Sequence, residues 1–423
     1  MVDKAFNTVA QIKRMRFSSN SHAKKTTDQP NWSELPADLL ELILKSLTAV
    51  DIIRFKAVCT SWMYATKYYP LPQPPWLMLP SNQQNDVNSR RFFDVADKAR
   101  TIYTMTNLFR GFSDSWCIGS SHGWLVIVDK KTAVHLFNPL SGGRSIELPE
   151  IGTIAGIPRS FNIDVHILHR LCRIHTCKAV LSSNPSRNKN FMAAIIYNKR
   201  NSTLAYYKKG YRTWIELYND HRESYSDVIF HNDDQLFALV RDGSSIDLWN
   251  LKENPVVITT IRLQPCAISM VRGERRYFSS FLKYASYLVE SLDEILLVVR
   301  IVVIHGLYKT HSFRVFKVNV KNSQLEKVEC LHDRVLFLGG NQSLSLSTRD
   351  FPALQDSSVY FTDDRWSMMN FNYYYLGEGE KDSHNNYGGH DVGVYSLEDG
   401  VVKLFDQIDN RQIIYPPPFW ILP

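Results

Sequence analysis

Three short stretches hold residue types that can do chemistry. The first, GSSHG (Gly119–Gly123), matches the G-x-S-x-G pattern, which presents a serine nucleophile on a turn between a strand and a helix. Here the apolar run WLVIV follows the turn and predicts a strand instead. A serine hydrolase would need Ser121 as its nucleophile, and the pattern favours a plain turn between two strands.

Two other stretches are rich in the residue types that bind metals. HRLCRIHTC (His169–Cys177) places two His and two Cys at spacings of three, three and two. A zinc site takes its ligands from two spaced pairs that the fold brings together, and these spacings do not form such pairs. This stretch is therefore interpreted as loop and strand. KDSHNNYGGHD (Lys381–Asp391) is interpreted as an inserted loop. We predict no catalytic residues, no metal site and no cofactor.

A run of aromatic residues with one arginine, DDRWSMMNFNYYY (Asp363–Tyr375), precedes that loop. Arg, Trp and Tyr are the usual anchors of protein interfaces, and loops often carry binding. The alternative is that the aromatic side chains belong to strands and core. We predict substrate contact by Arg365, Trp366, Phe371, Tyr373, Tyr374 and Tyr375.

Charge is unevenly distributed over the 423 residues. The whole chain has a net charge of +7, and residues 1–31 hold six Lys or Arg against two Asp. This first segment is predicted to be a disordered basic tail. The remainder has a net charge of only +3, which argues against nucleic acid as its partner.

Cysteine usage and hydropathy suggest the compartment. The six cysteines are scattered with no CxxC pair, which indicates reduced thiols. The most apolar run, Ile295–Ile304, carries Arg300 and is too short to cross a membrane, so it is predicted to be buried strand. We expect a soluble protein of the nucleus, the cytoplasm or both. KRMR (Lys13–Arg16) is either a weak nuclear signal or a solvated tail, and an organellar transit peptide is a further alternative.

The pattern of apolar residues changes along the chain. Helical spacing covers residues 32–69, a Pro-rich linker is predicted over 70–90, and short apolar runs alternate with turns over 91–423, with no convincing helix. These runs form units of strand, turn and strand at residues 122–149, 191–218, 234–251, 294–331 and 358–405. Units of this kind predict an all-β propeller, and we expect about six blades.

The helical segment has an apolar face that needs a partner. Leu39, Ile43 and Leu47 lie four residues apart with Leu40 and Leu44 beside them, and Asp51 is predicted to cap a second helix. Three short helices bury too little surface to fold firmly alone. The Pro-rich linker favours docking on another protein, and packing on the β domain is the alternative.

Two sets of motifs carry a resemblance. WSELPADLLELIL (Trp32–Leu44) followed by DIIRFKAVCTSW (Asp51–Trp62) resembles an F-box. The later stretches resemble the plant kelch-like β-propeller family known as domain of unknown function 295. They are PPWLMLP, CIGSSHGWLVIVD, LFNPLSGGRSIELP, KAVLSSNPS, DVIFHNDDQLFAL, YLVES, RVLFLGGNQSLSLSTRDFPAL, VYFTDD and PPPFWILP. Small departures from the pattern are Ile118 and Met63.

The resemblance implies a substrate receptor of an SCF-type cullin–RING ubiquitin ligase. Its F-box would dock on the Skp adaptor, and its propeller would hold the protein to be ubiquitylated. A non-ligase interaction protein with a degenerate F-box is the alternative. The adaptor contacts that the resemblance implies, some of them also forming the motif's own core, are Leu35, Pro36, Leu39, Leu40, Ile43, Leu44, Leu47, Ile52, Phe55, Val58, Cys59 and Trp62.

Overall fold

The helical spacing that follows the basic tail corresponds to helices in the computed structural model of the chain. The structure describes residues 32–47, 49–68, 74–81, 86–97, 101–113, 115–140, 143–151, 176–198, 202–218, 224–252, 256–273, 282–305, 307–365, 389–406, 408, 414 and 417–422. The chain divides between Gln73 and Pro74 into two units.

Within its described residues, the first unit holds a 3-10 turn and three α-helices. The turn spans Trp32–Glu34, and the helices are α1 (Ala37–Ser46), α2 (Ala49–Lys56) and α3 (Thr60–Tyr68). Pro36 precedes α1, and its carbonyl accepts the amides of Leu39 and Leu40 at 3.1 Å. The prediction that Asp51 caps α2 is wrong. Asp51 lies inside the first turn of α2, where its negative charge interacts favourably with the helix dipole. Its carboxylate also accepts a hydrogen bond from the Arg54 guanidinium at 3.1 Å.

The second unit contains the strands. Those in its first half are β1 (Trp76–Pro80), β2 (Arg90–Asp94), β3 (Ile102–Met105), β4 (Trp116–Ser121), β5 (Trp124–Val128), β6 (Val134–Asn138), β7 (Arg144–Leu148), β8 (Thr176–Leu181), β9 (Met192–Asn198), β10 (Ser202–Lys208), β11 (Ile215–Leu217), β12 (Tyr225–His231) and β13 (Gln235–Val240). Those in its second half are β14 (Ser245–Asn250), β15 (Val256–Arg262), β16 (Leu282–Ser291), β17 (Glu294–His305), β18 (Leu307–Asn319), β19 (Gln324–Val328), β20 (Arg334–Leu338), β21 (Leu344–Ser347), β22 (Ser358–Phe361), β23 (Gly393–Ser396), β24 (Val402–Leu404) and β25 (Phe419–Ile421).

These strands build six sheets, which are the blades of a propeller. Blades 1 to 4 are antiparallel and take their strands in chain order: β4–β7, β8–β11, β12–β15 and β16–β19. Blade 5 has the order β21-β20-β22-β23-β24, and its β20 and β22 run parallel. Blade 6 has the order β25-β1-β2-β3. The prediction of a propeller of about six blades is confirmed.

Blade 6 closes the ring with strands from both ends of the propeller segment. β25 pairs antiparallel with β1, so that Leu77 lies opposite Trp420. The segment 70–90, predicted to be a linker, therefore contributes a fully buried strand at Trp76–Pro80. The prolines predicted a break in regular structure, but the apolar run between them forms a strand because β2, the next strand along the chain, and β25, from the far end of the propeller segment, supply its two sheet neighbours.

Apolar side chains fill the seams between neighbouring blades. Single clusters join blades 1 and 2, 2 and 3, 3 and 4, 4 and 5, and 5 and 6. Between blades 6 and 1 the rings of Phe109 and Phe137 lie 5.1 Å apart. A side chain at Gly123 would meet the carbonyl of Leu422 at 2.9 Å, so the first turn of blade 1 packs closely on the end of β25.

Two local expectations meet different outcomes. The turns at Asp242-Gly243 and Asp399-Gly400 separate strands as predicted, and both glycines have positive φ, 71° and 66°. The expectation of no helix after residue 90 is wrong, because α4 (Ala267–Gly273) follows β15 and buries Ala267 and Val271. None of the described helices is long and apolar enough to cross a membrane.

The closing strand supplies the first testable prediction. Trp420 is 1% exposed, packs 5.1 Å from the Phe337 ring, and donates its indole N–H to the Leu338 carbonyl at 3.2 Å. We expect Trp420→Ala to lower the free energy of unfolding by about 3–5 kcal/mol, because the cavity lies in the blade that closes the ring. The measurement is urea unfolding followed by circular dichroism.

Leu404→Ala is the control for this prediction. Leu404 lies on the outer strand of blade 5 and is 40% exposed, so its truncation should cost less than about 0.5 kcal/mol. A similar cost for the two variants would contradict the claim that β25 holds the ring closed.

Candidate adaptor-docking site

The three helices enclose a small apolar core. It consists of Leu40, Ile43, Leu44, Ile52, Phe55 and Ala65, with Leu35, Leu47 and Trp62 packed against it. Helical spacing brings these residues together: Leu40 and Leu44 are one turn apart on α1, and Ile52 and Phe55 share a face of α2. The core therefore uses much of the apolar face that the sequence shows.

The 3-10 turn is tied to α3 by two hydrogen bonds. The Trp62 indole N–H donates to the Trp32 carbonyl at 2.9 Å, and the Ser61 hydroxyl donates to the Ser33 carbonyl at 2.7 Å. The Trp62 ring also lies 4.4 Å from the Phe55 ring. These contacts hold Leu35 and Pro36 at the start of α1.

Cys59 stands immediately before α3, and its carbonyl accepts the Met63 amide at 2.9 Å. Its thiol lies 3.1 Å from the Ser61 hydroxyl. That hydrogen bond, helped by the Trp62 amide, lowers the pKa of the Cys59 thiol. Cys59 is half-buried at the junction of α2 and α3, so it belongs to the surface of this unit rather than to its core.

The predicted contact residues divide into two groups by exposure. Leu40, Ile43, Leu44, Ile52 and Phe55 are buried inside the unit. Pro36 and Val58 are exposed, Val58 by 55%, and the others are half-buried: Leu35, Leu39, Leu47, Cys59 and Trp62. The first group can support a docking surface, and the second group can form one.

Three exposed apolar residues were missed by the sequence analysis. They are Leu42, Tyr64 and Tyr68, exposed by 54%, 50% and 77%. Tyr64 and Tyr68 are four residues apart on α3, and that spacing on one helix face was the available signal. With Pro36 and Val58, they are exposed apolar residues on a unit of only three short helices.

In the propeller, Arg365 is the only predicted substrate contact within the described residues. Its backbone N–H donates to Asp363 at 3.1 Å, and its guanidinium carbon lies 5.5 Å from the centre of the Tyr308 ring. The other predicted contacts, Trp366, Phe371, Tyr373, Tyr374 and Tyr375, lie outside the described residues. Most of HRLCRIHTC and KDSHNNYGGHD does so too.

Arg365 adjoins a buried ion cluster between blades 4 and 5. At its centre the Arg300 guanidinium donates to the Asp391 carboxylate at 2.9 Å and to the Thr362 carbonyl at 2.8 Å, and it lies 3.5 Å from Asp364. The Tyr308 hydroxyl donates to Asp363. Arg300, the charge inside the apolar run of β17, was noted in the sequence, but its partners come from strands far along the chain.

Burial and like charge act together on one acid of this cluster. Burial raises the pKa of Asp363 from its ordinary value of 3.8 to about 6, and the nearby Asp391 adds to the rise. For Arg300, burial opposes the charged form, but Tyr287, Asp391 and Asp364 outweigh it and hold the pKa above the ordinary value. Among the described residues, the cluster thus places the carboxylates of Asp363, Asp364 and Asp391 around the Arg300 guanidinium.

A second buried ion pair joins blades 2 and 3. Lys178 of β8 contacts Asp227 of β12, and both side chains are at least nine-tenths buried. The other oxygen of Asp227 accepts the Leu288 amide of blade 4 at 2.7 Å. Burial raises the pKa of Asp227 while Lys178 opposes that rise. One carboxylate therefore links three consecutive blades.

The geometry around Ser121 does not match a nucleophile. Ser121 ends β4 and is followed by the turn at His122-Gly123 and then by β5. Its hydroxyl donates to the Gln342 side chain and accepts the Leu181 amide at 3.1 Å. The hydroxyl is committed to linking strands. Within the described part of the chain, no group of three or more His, Cys, Asp or Glu is arranged to hold a metal ion.

Comparison with known proteins covers both units. A family model described as "F-box domain" matches residues 32–72, and one described as "KIB1-4 beta-propeller" matches residues 92–396. The F-box protein At2g05970 of Arabidopsis thaliana is 25% identical over 352 residues, which is 80% of this chain and 86% of that protein. The F-box protein SKIP23 of the same plant is 26% identical over 434 residues, with 92% and 95% covered.

Among solved structures, a protein of unknown function from Bacteroides caccae aligns with 82% of this chain and 99% of its own at 10% identity. The TM-score is 0.37.

The ion cluster at Arg300 predicts a specific pH dependence. A carboxyl group with a raised folded-state pKa contributes stability that is fully present below 3.8 and is lost as the pH rises through about 6. The difference between the pKa values of 3.8 and about 6 corresponds to about 3 kcal/mol of folding stability. Asp363→Asn cannot ionise, so its stability should fall by about 3 kcal/mol less than that of the wild type between about pH 4 and about pH 7.5.

Urea unfolding at the two pH values measures this difference. Asp350→Asn is the control, because Asp350 is exposed on blade 5 and its replacement should leave the wild-type pH dependence unchanged. If Asp363→Asn kept the full pH dependence of the wild type, the proton would have to be assigned to another group.

Proposed function

This chain belongs to the KIB1-4 β-propeller family and carries an F-box domain, and from that premise we propose that it is the substrate-recognition subunit of an SCF-type cullin–RING ubiquitin ligase. F-box domains generally bind Skp adaptors, and the two families are typically non-catalytic. In this proposal the helices dock on the adaptor, the propeller binds the protein to be ubiquitylated, and the chain itself performs no chemistry.

The observation that carries the proposal is the division of the helical unit into a small core and an exposed apolar surface. Six residues form the core, while Pro36, Leu42, Val58, Tyr64 and Tyr68 remain exposed. Exposed apolar residues in such number on a short helical unit are typical of a protein interface. The half-buried Leu35, Leu39, Leu47, Cys59 and Trp62 would form its inner border.

On the propeller we retain the prediction that Arg365, Trp366, Phe371, Tyr373, Tyr374 and Tyr375 contact the substrate. Support comes from Arg365, whose backbone is bonded to the buried Asp363, so that its place beside Tyr308 is held by the Arg300 cluster. The receptor is expected in the nucleus, the cytoplasm or both.

A binding titration with two variants tests adaptor docking. Val58→Asp places a charge on an exposed position, so we expect a normally folded protein whose affinity for a Skp adaptor falls by about 100-fold. Phe55→Ala removes a ring from the core and should cost about 3 kcal/mol of stability in the helical unit as well as adaptor binding. Isothermal titration calorimetry gives the affinities, and circular dichroism reports folding.

Leu404→Asp, on an exposed site of the propeller, is the control and should bind the adaptor as the wild type does. A folded wild-type protein that does not bind the adaptor would contradict the ligase role. The alternative would then be an interaction protein with a degenerate F-box.

A further inference from the structure

Two neighbouring turns at one end of blade 2 carry a concentration of positive charge. The turn after β8 contains Arg187 and Lys189, and the end of β10 and its turn contain Lys208, Lys209 and Arg212. Neither turn sequence, SNPSRNKN or KKGYRTW, contains an acidic residue. Five cations with no intervening carboxylate form what we name the blade 2 patch.

Strand pairing places the two turns side by side. Met192, which begins β9 after the first turn, lies directly opposite Lys208, which ends β10 before the second. The Ser182 amide donates to the Met192 carbonyl at 2.9 Å, which brings the first turn back over the same end of the sheet. The patch is therefore one surface, although its two parts are about twenty residues apart in sequence.

The cations of the patch are available to a partner. Arg187, Lys189, Lys209 and Arg212 are exposed, and none of the five lies within ion-pair distance of a carboxylate of the described residues. Lys208 instead donates to the backbone carbonyl of Lys252 at 3.0 Å. Glu216, further along the sheet on β11, is engaged by the Tyr218 hydroxyl.

An exposed aromatic ring lies among these charges. Tyr211 is 38% exposed, its amide is bonded to the Lys208 carbonyl at 3.0 Å, and its ring meets the buried Tyr206 edge-on at 6.4 Å. The ring is thus held in place from below with its outer part open to solvent. Tyr and Arg together are typical anchors of recognition surfaces.

We propose that the blade 2 patch binds a phosphorylated segment of the protein that this receptor recruits. The partner must be strongly anionic, because cations without carboxylate partners attract negative charge and repel basic segments. Two guanidinium groups beside three ammonium groups suit phosphate, since arginine binds its oxygens through two parallel hydrogen bonds. The inference rests on the proposed receptor role and specifies the substrate class.

The test is a fluorescence anisotropy titration of the full-length protein. The probe is a fluorescein-labelled glycine–alanine peptide that carries two phosphoserines, and its unphosphorylated twin is measured beside it. We expect the twin to bind roughly tenfold more weakly, and the affinity for the phosphopeptide to fall with added salt. Lys209→Ser/Arg212→Ser and Arg187→Ser/Lys189→Ser should each weaken phosphopeptide binding about tenfold.

The matched control is Lys321→Ser/Lys403→Ser. It makes the same change in net charge at exposed positions of blades 4 and 5 and should leave phosphopeptide binding unchanged. Equal binding of the two peptides, or an equal loss in the control, would overturn the proposal. Tighter binding of an oligouridine RNA than of the phosphopeptide, lost in the same two variants, would assign the patch to nucleic acid and also overturn it.

Adaptor titrations of the same variants separate the two proposals. Phosphopeptide binding without adaptor binding would remove the ligase role and leave the patch assigned. Adaptor binding without phosphopeptide binding would leave the receptor role intact and overturn the inference about the patch.

Discussion

A ring of blades holds together only when its first and last sheets meet, and here that junction rests on one short strand. β25 supplies three residues to blade 6 and pairs with β1, more than three hundred residues earlier in the chain. Every blade packs on two neighbours, so an unclosed ring would leave two apolar sheet faces in water. The Trp420 ring packs edge-on against Phe337 of the neighbouring blade 5, and the Leu422 carbonyl approaches Gly123 of blade 1 too closely for a side chain there.

Buried charge adds specificity to the seams that apolar packing fills. Apolar faces can slide against one another without large loss, whereas a buried charge that loses its partner lowers the stability of the fold by several kcal/mol. Asp227 meets both Lys178 and the Leu288 amide, and Arg300 meets groups on both sides of the seam between blades 4 and 5. These bonds fix how adjacent blades align. Asp363 of the Arg300 cluster also accepts the Arg365 amide, so the cluster positions the backbone of a predicted substrate contact.

The helical unit differs from the propeller in having little apolar core. Its core is small, and exposed apolar residues remain outside it, so its stability and its docking surface draw on the same few helices. Residues such as Phe55 matter for the shape of the surface without being part of it, while Val58 belongs to the surface alone. The propeller, with its own continuous seams, does not share this limitation, and its exposed turns are free to vary for recognition.

The sequence by itself determined the local elements. Leu40, Leu44 and Phe55 predict the helical core by their spacing, the alternation of apolar runs and glycine turns predicts the blades, and the F-box resemblance was readable from Trp32 to Trp62. Only the tertiary structure decided which residues meet across long separations. It made a strand of the Pro-rich segment at Trp76, gave Arg300 its acids, and joined two lysine- and arginine-bearing turns into one patch. Periodicity reports which face of an element is apolar, but the pairing partner and the sign of the local charge depend on chain segments that are distant in sequence.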